Sequence, residues 1–409
     1  MKILVQKFGG TSLAKASSRS RVCDIVARSI QDGYGVVVVV SAMGRKDDAY
    51  ATDTFVNMVK EINSYPAPEE LDLIMSCGEV ISGVVLSNQL SANGIQAKFF
   101  TGEQAGITTD GNFGNSHIRY INPKRLTDTL KEGFVAVVAG FQGVSENGEL
   151  TTLGRGGSDT TAAALGVALN ADYIDIFTDV DGVMTADPRI VKDARLLDAI
   201  TYNEICQLAR EGAKVVHPRA IEIAMQKGIP LRVKSTFSDS CGTMVANYEN
   251  HLDEPVRIIS DRLITGITHT SNLAQIRVIT ERNEESRGIE LKVFKSLALA
   301  DVSVDFITVQ PQALMFTVSN EDASKAIEVL DTIDIHPLLE ADCAKVAIVG
   351  AAMTGIPGVM SKVVEALLDN DIPILQSGDS YTNIWCLVKK EHMENAVKAL
   401  HDKFELGTR

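Results

Sequence analysis

The sequence predicts an α/β protein in which a mainly parallel sheet between helix layers is followed by two smaller α+β modules. Short apolar strands alternate with helical patterns over roughly the first 240 residues, which is typical of a parallel sheet. The run Gly35–Gly44 contains consecutive valines, as expected for a strand that is buried on both faces. Further along, the segment from Ile276 to Leu330 repeats at a constant offset of 70 residues, which indicates paired modules.

Composition and charge set the broad class of the protein. The 409 residues are 45% hydrophobic, with a mean hydropathy of +0.07, so they can bury a sizeable core in roughly two or three domains. The formal net charge of −14 argues against a nucleic-acid-binding groove, so anionic ligands need local cationic groups. The six scattered cysteines are expected to be reduced thiols. The N-terminal apolar stretch is too short for a signal peptide, and runs such as Val36–Val40 are too short to cross a membrane. We therefore expect a cytoplasmic protein with no membrane partner.

The predicted elements follow one another along the first part of the chain. The first strand, Ile3–Val5, precedes a Gly-Gly-Thr-Ser turn and a helix whose apolar spacing extends to Ile30. The other predicted elements are helices at Phe55–Ile62 and Leu71–Leu90 and strands at Ala97–Phe100, Val135–Ala139, Tyr173–Phe177 and Leu231–Val233. Ligands of parallel sheets bind at the carboxyl ends of the strands. We therefore expect one rim of the sheet to gather Lys7, Ser41, Gly140 and Thr178–Asp179.

The stretch Thr151–Leu169 is a glycine-rich loop that leads into an alanine-rich helix. Its residues Gly154–Gly157 are followed by Ser158 and Asp159, either of which is a suitable N-cap for the helix. A glycine loop before a helix presents backbone donors and a positive dipole end to an anion. Arg155 adds a planar fork that suits a carboxylate or a phosphate. A tight turn before a buried helix, without a ligand, is the alternative interpretation.

Two further loops favour phosphoryl transfer. Lys7 lies just before Gly9 and Gly10 in a turn between a strand and a helix, although the Walker A spacing is absent. The acidic loop after Thr178 lacks the full ligand set of an EF-hand, so we exclude calcium and favour a magnesium–nucleotide role. Phosphoryl transfer depends mainly on positioning and charge neutralisation, and Lys7 and Lys214 are candidates to stabilise the transferred group.

The sequence also limits which chemical group can accept the phosphoryl group. No histidine is placed beside an obvious loop nucleophile, and a carboxylate acceptor needs no general base because it is ionised above a pKa of about 4. Arg155 and Glu79 are candidates to hold the carboxylate and the ammonium group of an amino acid. Glu79 lies within an otherwise apolar helix, and an exposed glutamate without a function is the alternative interpretation.

Six motifs, in their order along the chain, resemble those of the aspartokinase family. They are Lys7–Ser12, Val39–Gly44, Gly140–Gly143, Thr152–Thr160, Phe177–Gly182 and Thr185–Arg189. The resemblance extends over essentially the whole chain and implies an amino acid kinase fold for a catalytic domain at 1–248. It implies Mg-ATP and L-aspartate as substrates and 4-phospho-L-aspartate as product, the first step of the aspartate pathway to diaminopimelate, lysine, threonine and methionine. It assigns no protein residue to a metal.

The resemblance also implies a role for each matched residue. Lys7 and Lys214 would stabilise the migrating phosphoryl group and Asp159 would orient Lys7, which makes these three the expected catalytic residues. The expected nucleotide-binding residues are Lys7, Phe8, Gly9, Gly10, Ser41, Thr178, Asp179, Met184, Thr185, Ala186, Asp187, Pro188, Arg189 and Lys214. The expected aspartate-binding residues are Thr52, Glu79, Arg155, Gly156, Gly157 and Ser158. Among these, Glu79 would meet the α-ammonium group and Arg155 the α-carboxylate.

The repeated segments resemble ACT domains, which are amino-acid-sensing modules of biosynthetic enzymes. Each copy has the pattern strand, helix, strand, strand, helix, and we expect copies at 263–335 and 336–409 after a linker at 249–262. The resemblance implies feedback inhibition by an amino acid and, because ACT modules pair, a homodimer or higher homo-oligomer. The expected effector-binding residues are Met353, Gly355, Ile356, Pro357, Gly358, Val359, Gln376 and Asp379. Two structural modules without an effector are the alternative.

Two questions stay open at the level of sequence. The segment Ile374–Ser380, with Ile384–Trp385, resembles single-function aspartokinases that are sensitive to diaminopimelate, so meso-diaminopimelate is the expected effector. A lysine- or threonine-sensitive aspartokinase is the alternative. For the reaction, the same fold could accept glutamate or carbamate, and a chain with an inactive kinase site would act only as an amino-acid-binding regulator.

Overall fold

The computed structural model describes residues 1–213, 215–247, 263–279, 288–351, 353 and 356–407. The chain divides into two compact units. The first comprises Met1–Val183, Leu196–Arg210 and Lys214–Ser260, and the second comprises Met184–Arg195, Glu211–Ala213 and Asp261–Arg409. The sequence-based boundaries at 248 and 335 stay predictions, and the expected linker at 249–262 lies outside the described residues.

The first unit is an α/β domain. Its helices are α1 (Gly10–Ala14), α2 (Ala16–Gln31), α3 (Thr52–Lys60), α4 (Pro68–Ala92), α5 (Lys124–Lys131), α6 (Gly157–Leu169), α7 (Tyr202–Arg210) and α8 (Pro218–Lys227). Its strands are β1 (Lys2–Phe8), β2 (Tyr34–Val40), β3 (Ala97–Phe100), β4 (Ile107–Thr109), β5 (Ile118–Ile121), β6 (Val135–Ala139), β7 (Gln142–Ser145), β8 (Leu150–Thr152), β9 (Tyr173–Thr178), β10 (Ala199–Ile200), β11 (Leu231–Ser235) and β12 (Thr243–Val245).

The large sheet of this unit has the order β10-β12-β11-β9-β1-β2-β6-β3, and a smaller sheet has the order β5-β4-β7-β8. β1 pairs in parallel with both β2 and β9, which places Lys7 beside Val39 and Ile176. The valines of β2 are buried because the sheet is covered on both faces, as their continuous run predicts. Phe8 and Phe177 stack with ring centroids 4.7 Å apart. The predicted mainly parallel sheet is confirmed, with β12 antiparallel to β11.

The second unit contains the two repeated modules. Their elements are β13 (Gly266–Ile279), α9 (Ile289–Leu299), β14 (Asp305–Gln310), β15 (Ala313–Ser319) and α10 (Ala323–Asp331), then β16 (Leu338–Val349), α11 (Val359–Leu368), β17 (Gln376–Asp379), β18 (Asn383–Lys389) and α12 (Met393–Lys403). Both copies have the predicted pattern of strand, helix, strand, strand, helix. They join through β13 and β16 into one sheet of order β14-β15-β13-β16-β18-β17.

The repeat is also visible in the turn that starts the first helix of each module. Gly288 precedes α9 with a φ of 85°, and Gly358 precedes α11 with a φ of 93°. This left-handed conformation is strained for residues with a Cβ, so glycine is required at both positions. The two glycines are 70 residues apart, which is the offset found in the sequence.

Three local expectations from the sequence need correction. Helix α3 begins at Thr52, and α4 runs from Pro68 to Ala92, so both start earlier than predicted. Neither Ser158 nor Asp159 caps α6, because the helix begins at Gly157 after Gly156, whose φ is 68°. A Cβ on Gly156 would lie 2.2 Å from Cγ of His217, so only glycine fits there.

No described helix combines the length and apolar character needed to cross a membrane.

Candidate active site

A cleft of about 520 Å³ lies in the first unit and gathers many of the predicted site residues. Residues from β1, α3, α4 and the loop before α6 line this cleft. The predicted residues among them are Lys7, Gly10, Ser41, Thr52, Glu79, Arg155, Gly156, Gly157, Ser158 and Asp159. The structure therefore brings the predicted aspartate-binding residues, Lys7 and Asp159 together at one place.

Lys7 forms an ion pair with Asp159 in this cleft. The Lys7 Nζ atom is 2.7 Å from Oδ1 of Asp159, and both side chains are largely buried. The other carboxylate oxygen of Asp159 accepts a hydrogen bond from the backbone N–H of His217 at 3.2 Å. Burial lowers the pKa of His217 below its ordinary value, so its ring is neutral at neutral pH. Asp159 thus holds the lysine ammonium group at the carboxyl-end rim of the sheet.

The loops after β1 and β2 approach each other closely. A Cβ on Gly10 would lie only 2.3 Å from the carbonyl oxygen of Gly44, so glycine permits the contact between the two backbones. The N–H of Ser41 donates to the carbonyl of Phe8 at 3.2 Å. Phe8 is one of the expected nucleotide-binding residues, but its ring is fully buried. Its side chain therefore packs in the core and is not open to solvent.

Glu79 is buried, which excludes the interpretation as an exposed glutamate. Its side chain is 3% exposed, and Oε1 accepts a hydrogen bond from the N–H of Ala42 at 3.0 Å. Within the described part of the chain, Oε2 has no hydrogen-bond partner. Burial raises the pKa of Glu79 to about 8, and the bond from Ala42 opposes that change. A cationic group that entered the cleft would find an unsatisfied carboxylate oxygen here.

Arg155 also lines this cleft and lies on the loop between β8 and α6. Its side chain is exposed, and it takes part in none of the ion pairs among the described residues. Gly154 and Gly156, on either side of it, both have positive φ values, which turn the chain sharply around the arginine. Ser158 is buried in the first turn of α6, and Thr52 begins α3. A carboxylate held by Arg155 would lie in the same cleft as Glu79.

Other predicted nucleotide residues lie outside the lining of this cleft. Thr178 ends β9, and its hydroxyl donates to Asp179 at 3.1 Å, while Asp179 pairs with Arg45. Lys214 lies outside the described residues. The segment Met184–Arg195 belongs to the second unit.

Within that unit, the predicted nucleotide residues between Met184 and Arg189 make local contacts. Thr185 is buried, and its hydroxyl lies 3.0 Å from Nε2 of His401. Ala186 packs in the core of the second ACT-like module, and Asp187 pairs with Arg189. The nucleotide-binding roles of Met184, Thr185, Ala186, Asp187, Pro188 and Arg189 stay predictions.

The predicted effector residues are likewise placed in the second unit. Met353 and Val359 are buried, whereas Ile356 and Asp379 are exposed. Gly355 lies outside the described residues.

Gln376 is buried and cross-links the two modules. Its amide nitrogen donates to the carbonyl of Phe306 at 2.6 Å and to the hydroxyl of Thr308 at 2.8 Å. Its amide oxygen accepts from the side chain of Gln275 at 2.8 Å. Gln376 therefore holds strands of both copies together, and its effector-binding role stays a prediction.

The motifs in the sequence missed several residues of the site. Arg45, Lys46, Asp53, Met75 and Gly114 also line the cleft. Asp72 was missed as well, although it lies two helical turns before Glu79 and is completely buried. The signal that could have found Asp72 is an acidic residue seven positions before Glu79, on the same face of the helix.

Comparison with known proteins identifies the relatives of this chain. The model of the amino acid kinase family matches residues 2–235, and a model of the ACT domain matches residues 338–402. Aspartokinase 1 of Bacillus subtilis is 48% identical over 407 residues, covering all of both chains. Aspartokinase of Geobacillus stearothermophilus is 40% identical and covers 100% of this chain and 98% of the relative.

Solved structures agree with these sequence relatives. The structure of E. coli aspartokinase III in complex with aspartate and ADP, described as its R-state, covers 98% of this chain and 99% of its own, with 27% identity and a TM-score of 0.79. The complex of the same enzyme with lysine and aspartate, described as its T-state, has a TM-score of 0.75. This chain therefore belongs to the aspartokinase family, kinases that transfer a phosphoryl group to the carboxyl group of aspartate and carry ACT regulatory domains.

Proposed function

We propose that the cleft binds L-aspartate between Glu79 and Arg155 and transfers the γ-phosphoryl group of ATP to its side-chain carboxylate. The observation that carries this proposal is the free Oε2 atom of buried Glu79, which shares one cleft with Arg155 and Lys7. The α-ammonium group would pair with Glu79, and the α-carboxylate would accept hydrogen bonds from the guanidinium group of Arg155. The product is 4-phospho-L-aspartate, which places the protein at the start of the aspartate pathway to diaminopimelate, lysine, threonine and methionine.

In the proposed reaction an oxygen of the aspartate side chain attacks the γ-phosphorus. A new P–O bond forms while the bond to the bridging oxygen of ADP breaks, and that oxygen leaves with the electron pair. Lys7, held by Asp159, stabilises the negative charge on the migrating group, and we assign the same role to Lys214. Gly9, Gly10 and Ser41 line the phosphates, while Thr178 and Asp179 hold the nucleotide.

Magnesium fits this arrangement as a partner of the nucleotide. The carboxylates beside the phosphate loops are already engaged, Asp159 with Lys7 and Asp179 with Arg45. We therefore expect Mg²⁺ to arrive on the phosphate oxygens, where it supplies charge neutralisation when bound. The roles proposed above for Lys7, Lys214 and the residues that line the phosphates are the same whether or not Mg²⁺ is bound.

Hydroxylamine trapping tests the proposed reaction, because it converts an acyl phosphate into a hydroxamate. With Mg-ATP we expect an aspartate-dependent hydroxamate, and little or none with glutamate or carbamate as acceptor. Lys7→Ala should lower the rate by about 100- to 1000-fold, the usual cost of one preorganised charge partner. Absence of the aspartate product contradicts the proposed reaction and favours an amino-acid-binding regulator, whereas full activity of Lys7→Ala contradicts the role assigned to Lys7.

We also propose that meso-diaminopimelate inhibits the enzyme through the second ACT-like module. A cleft of about 440 Å³ is lined there by Ile356–Val359, Lys362 and Lys403–Leu406. Lys362 offers a cationic partner for a carboxylate. The structural relative in its T-state binds lysine, which has one carboxylate fewer than diaminopimelate.

Inhibition curves with meso-diaminopimelate, lysine and threonine decide between the candidate effectors. We expect meso-diaminopimelate to inhibit at the lowest concentration and Lys362→Ala to weaken that inhibition without changing the uninhibited rate. Stronger inhibition by lysine or threonine contradicts this assignment.

We further propose a cytoplasmic homodimer or higher homo-oligomer. The strands β14 and β17 are the edges of the ACT sheet, and free edges favour pairing with another chain. The molar mass in solution, measured by light scattering, tests this, and the mass of a single 44.1 kDa chain contradicts it.

A further inference from the structure

Helix α4 carries two buried carboxylates on one face. Asp72, Ser76 and Glu79 are all buried and follow the i, i+4, i+7 spacing of a single helix face. Seven residues of α-helix correspond to a rise of about 10 Å, so the two acidic residues lie two turns apart on one rigid element. Glu79 lines the cleft, whereas Asp72 does not.

Asp72 instead accepts hydrogen bonds from two separate segments of the chain. The N–H of Gly114 lies 3.0 Å from each of its carboxylate oxygens. The N–H of Thr152 donates to Oδ2 at 2.7 Å, and the hydroxyl of Thr152 donates to Oδ1 at 2.7 Å. Asp72 is 0% exposed and takes part in none of the ion pairs of the described chain. Short bonds to a buried carboxylate hold both donor segments firmly in place.

These two segments build the wall of the cleft that carries Arg155. Gly114 lines the cleft itself, and Thr152 ends β8 three residues before Arg155. The segments also bind each other, since the N–H of Ser116 donates to the carbonyl of Thr152 at 2.9 Å. Arg219 ties them again, with bonds of 2.9 Å to the carbonyl of Leu153 and 2.8 Å to that of Ser116.

We propose that Asp72 is a positioning residue that sets the distance between Arg155 and Glu79. Helix α4 carries Glu79 directly and holds the start of the Arg155 loop through Asp72, so one helix fixes both charged groups of the site. The proposal concerns one substrate class, α-amino acids, in which an ammonium and a carboxylate are attached to the same carbon, because Glu79 and Arg155 line the same cleft. This inference rests on the proposed function, in which the two side chains hold the amino acid.

The variant Asp72→Asn tests the inference, because its amide nitrogen cannot accept the bonds that the carboxylate accepts. We expect the KM for aspartate to rise at least tenfold while the KM for ATP changes less than twofold. A merely structural role would not separate the two constants. Glu70→Gln is the matched control, since it makes the same chemical change at an exposed position of α4 and should leave both constants unchanged.

Thr152→Val keeps the shape of its side chain and removes only the hydroxyl bond to Asp72, so it should raise the KM for aspartate by a smaller factor. If Asp72→Asn does not fold, Thr152→Val alone tests whether the bonds of Asp72 set the KM for aspartate. An unchanged KM for aspartate in these folded variants, or an equal rise in both constants, overturns the inference alone. Absence of aspartate-dependent turnover in the unsubstituted chain overturns the proposed function as well.

Discussion

Asp72 and Glu79 are both buried on one face of α4, yet their surroundings differ. Asp72 accepts four short contacts from Gly114 and Thr152, whereas Glu79 accepts one bond from Ala42 and keeps a second oxygen without a partner. A fully bonded buried carboxylate stabilises the fold around it, and an incompletely bonded one costs free energy until a ligand arrives. The comparison indicates which of the two is a structural anchor and which is a binding group.

The largest expected effect is on activity at Glu79. Glu79→Gln keeps the size of the side chain but removes the charge that would pair with the α-ammonium group. Losing one partner of a buried charge pair costs about 3–4 kcal/mol, so kcat/KM for aspartate should fall by about 10²- to 10³-fold. Steady-state rates at saturating Mg-ATP measure this, and a fall of less than tenfold would remove Glu79 from the site. The KM for ATP, as the internal control, should stay unchanged.

The next effect is on stability at Asp72. Asp72→Ala leaves the N–H groups of Gly114 and Thr152 and the hydroxyl of Thr152 without their acceptor. The free energy of unfolding should therefore fall by about 3 kcal/mol, since each buried donor left unsatisfied costs about 1–3 kcal/mol. Urea denaturation measures the change, and Glu70→Ala serves as the exposed control. A loss below about 1 kcal/mol would show that Asp72 is no anchor.

The smallest effect, of opposite sign, is on stability at Glu79. Folding raises the pKa of Glu79 from 4.5 to about 8, so its contribution to stability is present below pH 4.5 and is lost as the pH rises through 8. Glu79→Gln cannot ionise, so the variant does not lose this stability as the pH rises. The Tm of the variant should exceed that of the unsubstituted chain by several degrees at pH 8, with a much smaller difference at pH 5. Calorimetry at both pH values checks this, and a variant that is less stable at pH 8 contradicts the account.

Much of the sheet could be predicted because its strands are short apolar runs bounded by polar residues or glycines. Ala97–Phe100 and Val135–Ala139 have the predicted bounds to the residue. The start of α6 was predicted wrongly, because Gly156 adopts a left-handed conformation and Asp159 is committed to Lys7. The N-cap preferences of residue types depend only on neighbouring residues in the sequence, so they cannot show that Asp159 pairs with the distant Lys7.

The chemistry of the site was only partly readable from the sequence. Motifs predicted Lys7, Glu79 and Arg155, and the structure places all three in one cleft. Asp72 escaped prediction because its partners are 42 and 80 residues away along the chain. The raised pKa of Glu79 also could not be predicted, since it arises from burial that only the packed structure defines.

Proton release on aspartate binding tests most directly that Glu79 is the ammonium anchor. With a pKa of about 8, Glu79 is mostly protonated at pH 7 and must lose its proton to pair with an ammonium group. Calorimetric titration of aspartate in buffers of different ionisation enthalpy should therefore show the release of most of one proton per site at pH 7, and none in Glu79→Gln. Tight aspartate binding without proton release in the unsubstituted chain would contradict the account.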